Sequence, residues 1–243
     1  MTKREKLLRK AKTGDPTAQY ELACHYCYKK PINKRKAAAW YRKAADQGDP
    51  DAQCSLGDLY EEGDGVKKNR KKAFAWYQKA AVQGDAEGQL TLGYCLFYGK
   101  GVRRDRKAAL CWYRKSARQG NEGAMGNIGL MYKNGEGVIQ SWSRAIRWFK
   151  KGAKKGHVQS MHWLARIYGG EEKPKAIPKK DIYWLKRAAR AGDEQSQCNL
   201  GVAYMNGNGV RKNCKKAVRW YRTAAAQGDS WACYCLGLCY RDG

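Results

Sequence analysis

Tryptophan recurs every 36 residues along this chain, at Trp40, Trp76, Trp112, Trp148, Trp184 and Trp220. Each is followed by a second large residue: Tyr41, Tyr77, Tyr113, Phe149, Leu185 and Tyr221. Eight positions beyond each tryptophan stands a glycine, Gly48, Gly84, Gly120, Gly156, Gly192 and Gly228, and Gly14 opens the series two residues early. A fixed internal period of this length is the signature of a repeat architecture. Each unit then buries its apolar face against its neighbours rather than in one central core.

The residues within a period read as two helices, which makes the chain an all-α solenoid of antiparallel helix pairs. Asp15, Asp49, Asp85, Asn121, Asp193 and Asp229 follow the glycines as N-caps of the first helices. Pro16 and Pro50 fall at N1, where the absent N–H is harmless. In the second repeat Ala52, Leu56, Gly57 and Tyr60 share one face of the first helix. Ala73, Trp76, Tyr77, Ala80 and Ala81 share a face of the second. The small residues let helices approach, and the aromatics fill the space between them. On this reading the tryptophans of the ruler are core.

Between the helices lie Gly63-Asp64-Gly65-Val66, Gly99-Lys100-Gly101-Val102, Gly135-Glu136-Gly137-Val138 and Gly207-Asn208-Gly209-Val210. A phosphate-binding loop would need a preceding strand and a third glycine. Four copies in register predict left-handed helix C-caps instead. Asn33, Asn69, Asp105, Ser141 and Asn213, each seven residues before a tryptophan, cap the second helices. In the fifth repeat Ile177 takes that place, with Pro178 supplying the helix start.

The combined pattern A-x-x-x-L-G-x-x-Y-x-x-G-x-G-V, then K-A-x-x-W-Y, then A-A-x-x-G-D, resembles the Sel-1-like repeat (SLR) family over nearly the whole chain. The resemblance implies a right-handed superhelix with its first helices on the concave side. It also implies adaptor or scaffold roles in signalling, protein quality control or bacterial host contact. The expected organisation is a basic helical cap at 1–13 and a single solenoid at 14–243. Its repeats would be 14–47, 48–83, 84–119, 120–155, 156–191 and 192–227, with a half repeat at 228–243. The fifth repeat departs from the pattern, replacing the turn with GGEEKPKAIPKKD. The helix after Gly228 has no second helix of its own repeat before Gly243, so it either caps the stack or precedes further repeats.

No apolar run approaches the length of a membrane span, and the opening MTKREKLLRKAK lacks the apolar stretch of a secretory signal. A cytoplasmic location is expected, and export of an effector by a specialised route is compatible with it. The ten cysteines recur at too few equivalent positions to staple the repeats, so reduced, mostly buried thiols are expected. Cys24-His25-Tyr26-Cys27 and Cys233-Tyr234-Cys235 with Cys239 look like metal ligands by composition. They stand at opposite ends of a solenoid, so no metal and no other cofactor is implied. Some relatives in the family are linked to penicillin hydrolysis, but Ser-x-x-Lys occurs nowhere in the chain. No nucleophile, base and orienting partner gather around His25, His157 or His162, and His157 reads as an N-cap. The expected function is therefore non-catalytic, with no small-molecule substrate.

Charge carries the functional signal. Lys and Arg total 49 against 22 Asp and Glu, a net charge of +27. The stretch from Asp49 to Glu62 has five acids and no base, whereas Val66 to Lys79 has six bases and no acid. Thirteen of the eighteen residues at N1 to N3 of the second helices are basic and none is acidic. They include Lys34, Lys36, Arg70, Lys71, Arg106, Lys107, Lys179, Lys180 and Lys215. Cations at a helix N-terminus oppose the macrodipole and cost about 0.3–1 kcal/mol each. Repeated in register, they predict a basic edge, which either solubilises the chain or binds an acidic partner. Trp142, Trp163 and Trp231 lie off the ruler. Trp142 replaces a basic N1 residue, and the equivalents of Trp163 are mostly polar. Trp142 and Trp163 mark a partner-contact hot spot, or in the case of Trp163 a filler beside the irregular turn. The expected partner is a protein with an acidic surface, and the second reading is a nucleic-acid-binding solenoid.

Overall fold

The computed structural model describes residues 3–30, 32–169 and 182–241. Among these, the chain is built of helices and has no strand. After α1 (Lys3–Lys12) come the first repeats: α2 (Pro16–Tyr28) with α3 (Lys34–Asp46), α4 (Pro50–Glu62) with α5 (Arg70–Val82), and α6 (Ala86–Tyr98) with α7 (Arg106–Arg118). They are followed by α8 (Glu122–Asn134), α9 (Trp142–Lys154), α10 (Val158–Gly169) and α11 (Ile182–Arg190). The last three helices are α12 (Glu194–Asn206), α13 (Cys214–Ala225) and α14 (Ser230–Arg241). The chain divides into two compact units, Met1–Ala124 and Met125–Gly243. In the first unit each helix from α1 to α7 packs on the next, and in the second α9 to α14 do the same. This succession of helix pairs is the α-solenoid class.

Cap chemistry explains where the helices begin and end. Asp49 Oδ1 accepts from Ala52 N at 2.7 Å and Asp85 Oδ1 from Gly88 N. At the second helices, Asn69 Oδ1 accepts from Lys72 N at 3.0 Å and Asn213 Oδ1 from Lys216 N at 2.9 Å. Gly63, Gly99 and Gly207 close their helices with φ of 84°, 78° and 76°, the left-handed region open to glycine. The backbone of each second cap then returns to the helix just finished. Asn69 N donates to Tyr60 O at 2.7 Å, Asp105 N to Leu96 O and Asn213 N to Tyr204 O at 2.8 Å. The helix start at Pro178 lies outside the described residues.

The core differs from the expectation in one respect. Its largest fully buried side chains are the residues after the tryptophans, Tyr41, Tyr77, Tyr113 and Phe149, with Tyr221 close behind. Each of the last four lies over a glycine of its partner helix: Gly57 under Tyr77, Gly93 under Tyr113, Gly129 under Phe149 and Gly201 under Tyr221. Of the ruler tryptophans only Trp184 is buried, and the other five are half-buried. One step around a helix turns a side chain by about 100°, which carries the indole to the margin of the buried face. A lysine one turn on covers it. Lys43 Nζ is 4.3 Å from the Trp40 ring centroid, Lys79 3.8 Å from Trp76, Lys115 3.9 Å from Trp112 and Lys151 4.6 Å from Trp148. These ammonium–indole contacts lay aliphatic stems along the apolar margin while their charge remains solvated.

A buried polar ladder, not anticipated from the sequence, joins the repeats. Gln19, Gln53, Gln89 and Gln197 are all buried. Gln53 Nε2 donates to Ala45 O at 3.1 Å, and its Oε1 accepts from Gln83 Nε2 at 2.8 Å. Gln19 uses Ala11 O and Gln47, Gln89 uses Ala81 O and Gln119, and Gln197 uses Ala189 O and Gln227. Each buried amide is satisfied on both sides, and it ties a first helix to the end of the preceding helix through the alanine carbonyl and to the end of the following helix through the second glutamine.

Candidate functional site

The N-terminal ends of the second helices project the basic residues, but not all are equally available. Lys34 is half-buried. Its Nζ lies 3.3 Å from Asp64 Oδ2 and 3.3 Å from Cys27 Sγ. Residues at N3 stack on the tyrosine of the first helix: Lys36 on Tyr26 at 5.6 Å, Lys72 on Tyr60 at 5.5 Å, Arg144 on Tyr132 at 5.6 Å and Lys216 on Tyr204 at 5.6 Å. Arg106 lies over Phe97 at 5.4 Å. These contacts offset part of the macrodipole penalty and give the N3 cations a packing role. Arg70, Lys71, Lys107 and Lys215 are exposed. Lys179 and Lys180 lie outside the described residues.

Two further pairs extend the basic edge in the first unit, with a third in the second. Lys67 and Lys68, Arg103 and Arg104, and Arg211 and Lys212 follow the glycine turns and are exposed. In the first unit Val102, Arg103, Arg104, Arg106 and Lys107 line one open cleft with Leu96 and Asp105. The sequence signal for these pairs is the dibasic step that follows three of the four G-x-G-V turns, immediately ahead of the cap. Placement of the turn is fixed by its second glycine, because a Cβ on Gly65 would meet the Lys34 carbonyl at 2.5 Å. Gly101 meets the backbone of Arg70 in the same way. These two turns of the first unit therefore seat on the basic start of the preceding second helix.

The acids of the first unit gather on its first helices. Burial pushes the Asp51 carboxyl above its ordinary range, and Asp49 and Asp85 add to the shift. Burial likewise raises Asp58 against the hydrogen bond from Tyr77, with Glu61 and Glu62 contributing. Glu87 is raised by burial, then by Asp85, Asp58 and Glu122, despite the hydrogen bond from Asn121. Raised carboxyl pKa values mean that these groups weaken the fold when ionised, and the strain is relieved as pH falls through their range. Acid and base are thus segregated within this unit.

Trp142 and Trp163, in the second unit, are half-buried. Lys133 joins them, its Nζ 5.8 Å from the Trp142 ring centroid and 4.1 Å from that of Trp163. Trp163 also stacks on Phe149 at 6.2 Å with the planes 16° apart, and Arg166 lies 5.0 Å from it. His157 precedes α10, and its Nδ1 shares a 2.7 Å hydrogen bond with Ser160 Oγ. His162 Nδ1 lies 2.9 Å from Asp193 Oδ2. Burial raises Asp193, but the hydrogen bonds from His162 and Ser196 outweigh it and hold the carboxyl below its ordinary value.

None of the ten cysteines is joined in a disulfide. Four are buried and three half-buried, but Cys111, Cys214 and Cys233 are exposed, because their positions fall on the outer faces of α7, α13 and α14. Burial pushes the Cys95 and Cys198 thiols up to about 12, far from the thiolate a nucleophile requires. Among the described residues no group of three or more His, Cys, Asp and Glu side chains could hold a metal ion. No described helix is long and apolar enough to cross a membrane.

The Sel1 repeat family matches residues 16–49, 50–85, 86–121, 123–157, 158–193 and 194–229. No curated protein sequence matches the chain. Among solved structures it is similar to a protective antigen of uropathogenic Escherichia coli strains that displays an SLR fold, with 31% identity and a TM-score of 0.86. That match covers 98% of this chain and 51% of the antigen, so the chain spans about half the antigen's length. It is also similar to a Sel1 repeat protein from Oxalobacter formigenes, at 32% identity and a TM-score of 0.81, over 88% of this chain and 89% of that one. An immunity protein from Pseudomonas aeruginosa, 21% identical, shares the fold alone, with a TM-score of 0.54 over 85% of this chain and 75% of its own. With these six matched segments covering most of its length, the chain belongs to the Sel1 repeat family, a class of helical scaffolds that in general mediates protein–protein interaction.

Proposed function

We propose that the chain is a non-catalytic scaffold that recognises an acidic protein surface through the exposed cations at the starts of its second helices. The observation that carries this reading is the exposure of Arg70, Lys71, Lys107 and Lys215 at positions where the helix macrodipole disfavours positive charge. A purely solubilising charge would serve equally well anywhere on the surface and at less cost in helix stability. Ten cysteines outside any disulfide suit a reducing compartment, and the cytoplasm is the location that fits this reading. An acidic protein is favoured over nucleic acid because the half-buried indoles Trp40, Trp76, Trp112 and Trp148 lie under lysines, which closes them as platforms for stacked bases.

The test is fluorescence anisotropy with a labelled all-glutamate peptide, and with single-stranded RNA and duplex DNA as competing probes at rising salt. Wild-type protein is expected to bind the peptide, and Arg70→Glu/Lys71→Glu/Lys107→Glu to bind it about tenfold or more weakly. Equal peptide binding by the two proteins would reduce the edge to a solubilising surface. Displacement of the peptide by RNA or DNA at low salt, well below the concentration at which unlabelled peptide competes and falling steeply as salt rises, would select the nucleic-acid reading instead.

A further inference from the structure

The fourth repeat breaks the basic edge at the very positions that define it. After its turn stand Ile139 and Gln140, where other repeats have Lys67 and Lys68, Arg103 and Arg104, or Arg211 and Lys212. At N1 and N2 of α9 stand Trp142 and Ser143, where α5 has Arg70 and Lys71. Ile139 is 89% exposed, the most exposed of the large apolar side chains among the described residues. An isoleucine held almost wholly in water is stabilised when an apolar group covers it. Trp142 is three residues on, and the Lys133 ammonium links its ring to that of Trp163. Phe149 backs Trp163, and Arg166 approaches the same indole. Residues 125–169 hold eight lysines and arginines against one carboxylate, that of Glu136.

We propose that Ile139, Trp142 and Trp163, with Lys133 and Arg166, form a docking site for an acidic protein segment carrying an apolar side chain among its carboxylates. The inference rests on the acidic-partner reading and specifies the partner further. The apolar side chain covers Ile139 and the open part of the Trp142 ring. The flanking carboxylates meet cations that are already held against aromatic surface, where partial exclusion of water strengthens each charge–charge contact. Tryptophan beside a basic group is the composition that concentrates binding energy in an interface. A basic peptide is repelled by the surrounding field, and a wholly apolar one leaves the cations without new partners.

The experiment compares two labelled peptides of equal charge, one of glutamates only and one with a leucine inserted at its centre, on the intact chain at low salt. The leucine peptide is expected to bind about tenfold more tightly. That advantage should vanish in Ile139→Lys/Trp142→Arg, which takes the residues of the second repeat, while the all-glutamate peptide binds this variant at least as well as wild type. Ile139→Lys alone, at a side chain in open water, should remove a large part of the advantage with no change in thermal midpoint. Equal binding of both peptides by wild type, or an advantage that survives in both variants, overturns the docking site and leaves the acidic-partner reading intact. Binding of neither peptide overturns both.

Discussion

Replacing Gly101 with alanine is expected to destabilise the first unit by about 2–5 kcal/mol, in urea unfolding followed by circular dichroism. Two costs combine. Gly101 has φ of +72°, a conformation that an L-residue adopts only with strain. Its new Cβ would also fall inside the carbonyl of Arg70, at the first turn of α5, where backbone rather than a flexible side chain must give way. Gly84 separates the two costs. Its φ is +96° and nothing lies within 4 Å of the position its Cβ would take, so Gly84→Ala should lose only about 1 kcal/mol. Equal losses in the two variants would mean that the turn does not press on the preceding helix. Because Arg70 begins the basic segment of α5, Gly101→Ala should also disturb peptide binding, whereas Gly84→Ala should not.

The second large effect is expected at the glutamine ladder. Gln53→Met should cost about 1–3 kcal/mol, since it removes the donor to Ala45 O and the acceptor for Gln83 from a nearly sealed position. The chain contains its own control. Where the fourth and fifth repeats have Met125 and Met161 in place of the buried glutamine, the partner position holds Lys155 and Ala191. Both members of the pair change together. Adding Gln83→Ala to Gln53→Met should therefore cost less than the sum of the two single changes, with a coupling of about 0.5–1 kcal/mol in a double-mutant cycle. Strict additivity would show that the two amides stabilise the repeat independently.

These two expectations also mark what was legible in the sequence. Caps and turns were readable because their chemistry is local: an aspartate or asparagine before a helix, and a glycine where φ must be positive. Asp49, Asn69 and Gly63 do what their types and spacing require. The glutamine ladder was not readable, because a polar residue on a helix ordinarily points to water, and its partners stand about 8 and 30 residues away. The signal was there in the paired change to methionine at 125 and 161. Tryptophan burial was overestimated for a geometric reason. Regular spacing shows that a position is constrained, but Trp76 is constrained at the margin, under Lys79, while Tyr77 is the buried knob.

The basic edge was legible as charge but not as availability. Sequence places Lys34 and Lys71 in one class, yet Lys34 is half-buried against Asp64 and Cys27 and Lys71 is exposed. Nor does the sequence show that Lys133 stands between Trp142 and Trp163, since that meeting requires α8, α9 and α10 to be packed together. Side chains that act alone at a surface can be read from their spacing. Those that act through a neighbour on another helix cannot.

Hydrogen–deuterium exchange of the intact chain, with and without saturating all-glutamate peptide, locates the binding surface most directly. First-turn amides of a helix lack intrahelical acceptors and exchange readily, so their protection by a partner is easy to observe. Protection is predicted at the starts of α5, α7 and α13, around Arg70-Lys71, Arg106-Lys107 and Lys215, and in the dibasic steps before them. Protection confined to the acid-bearing first helices α4 and α6, or no protection at peptide saturation, would contradict the basic edge as the site of recognition.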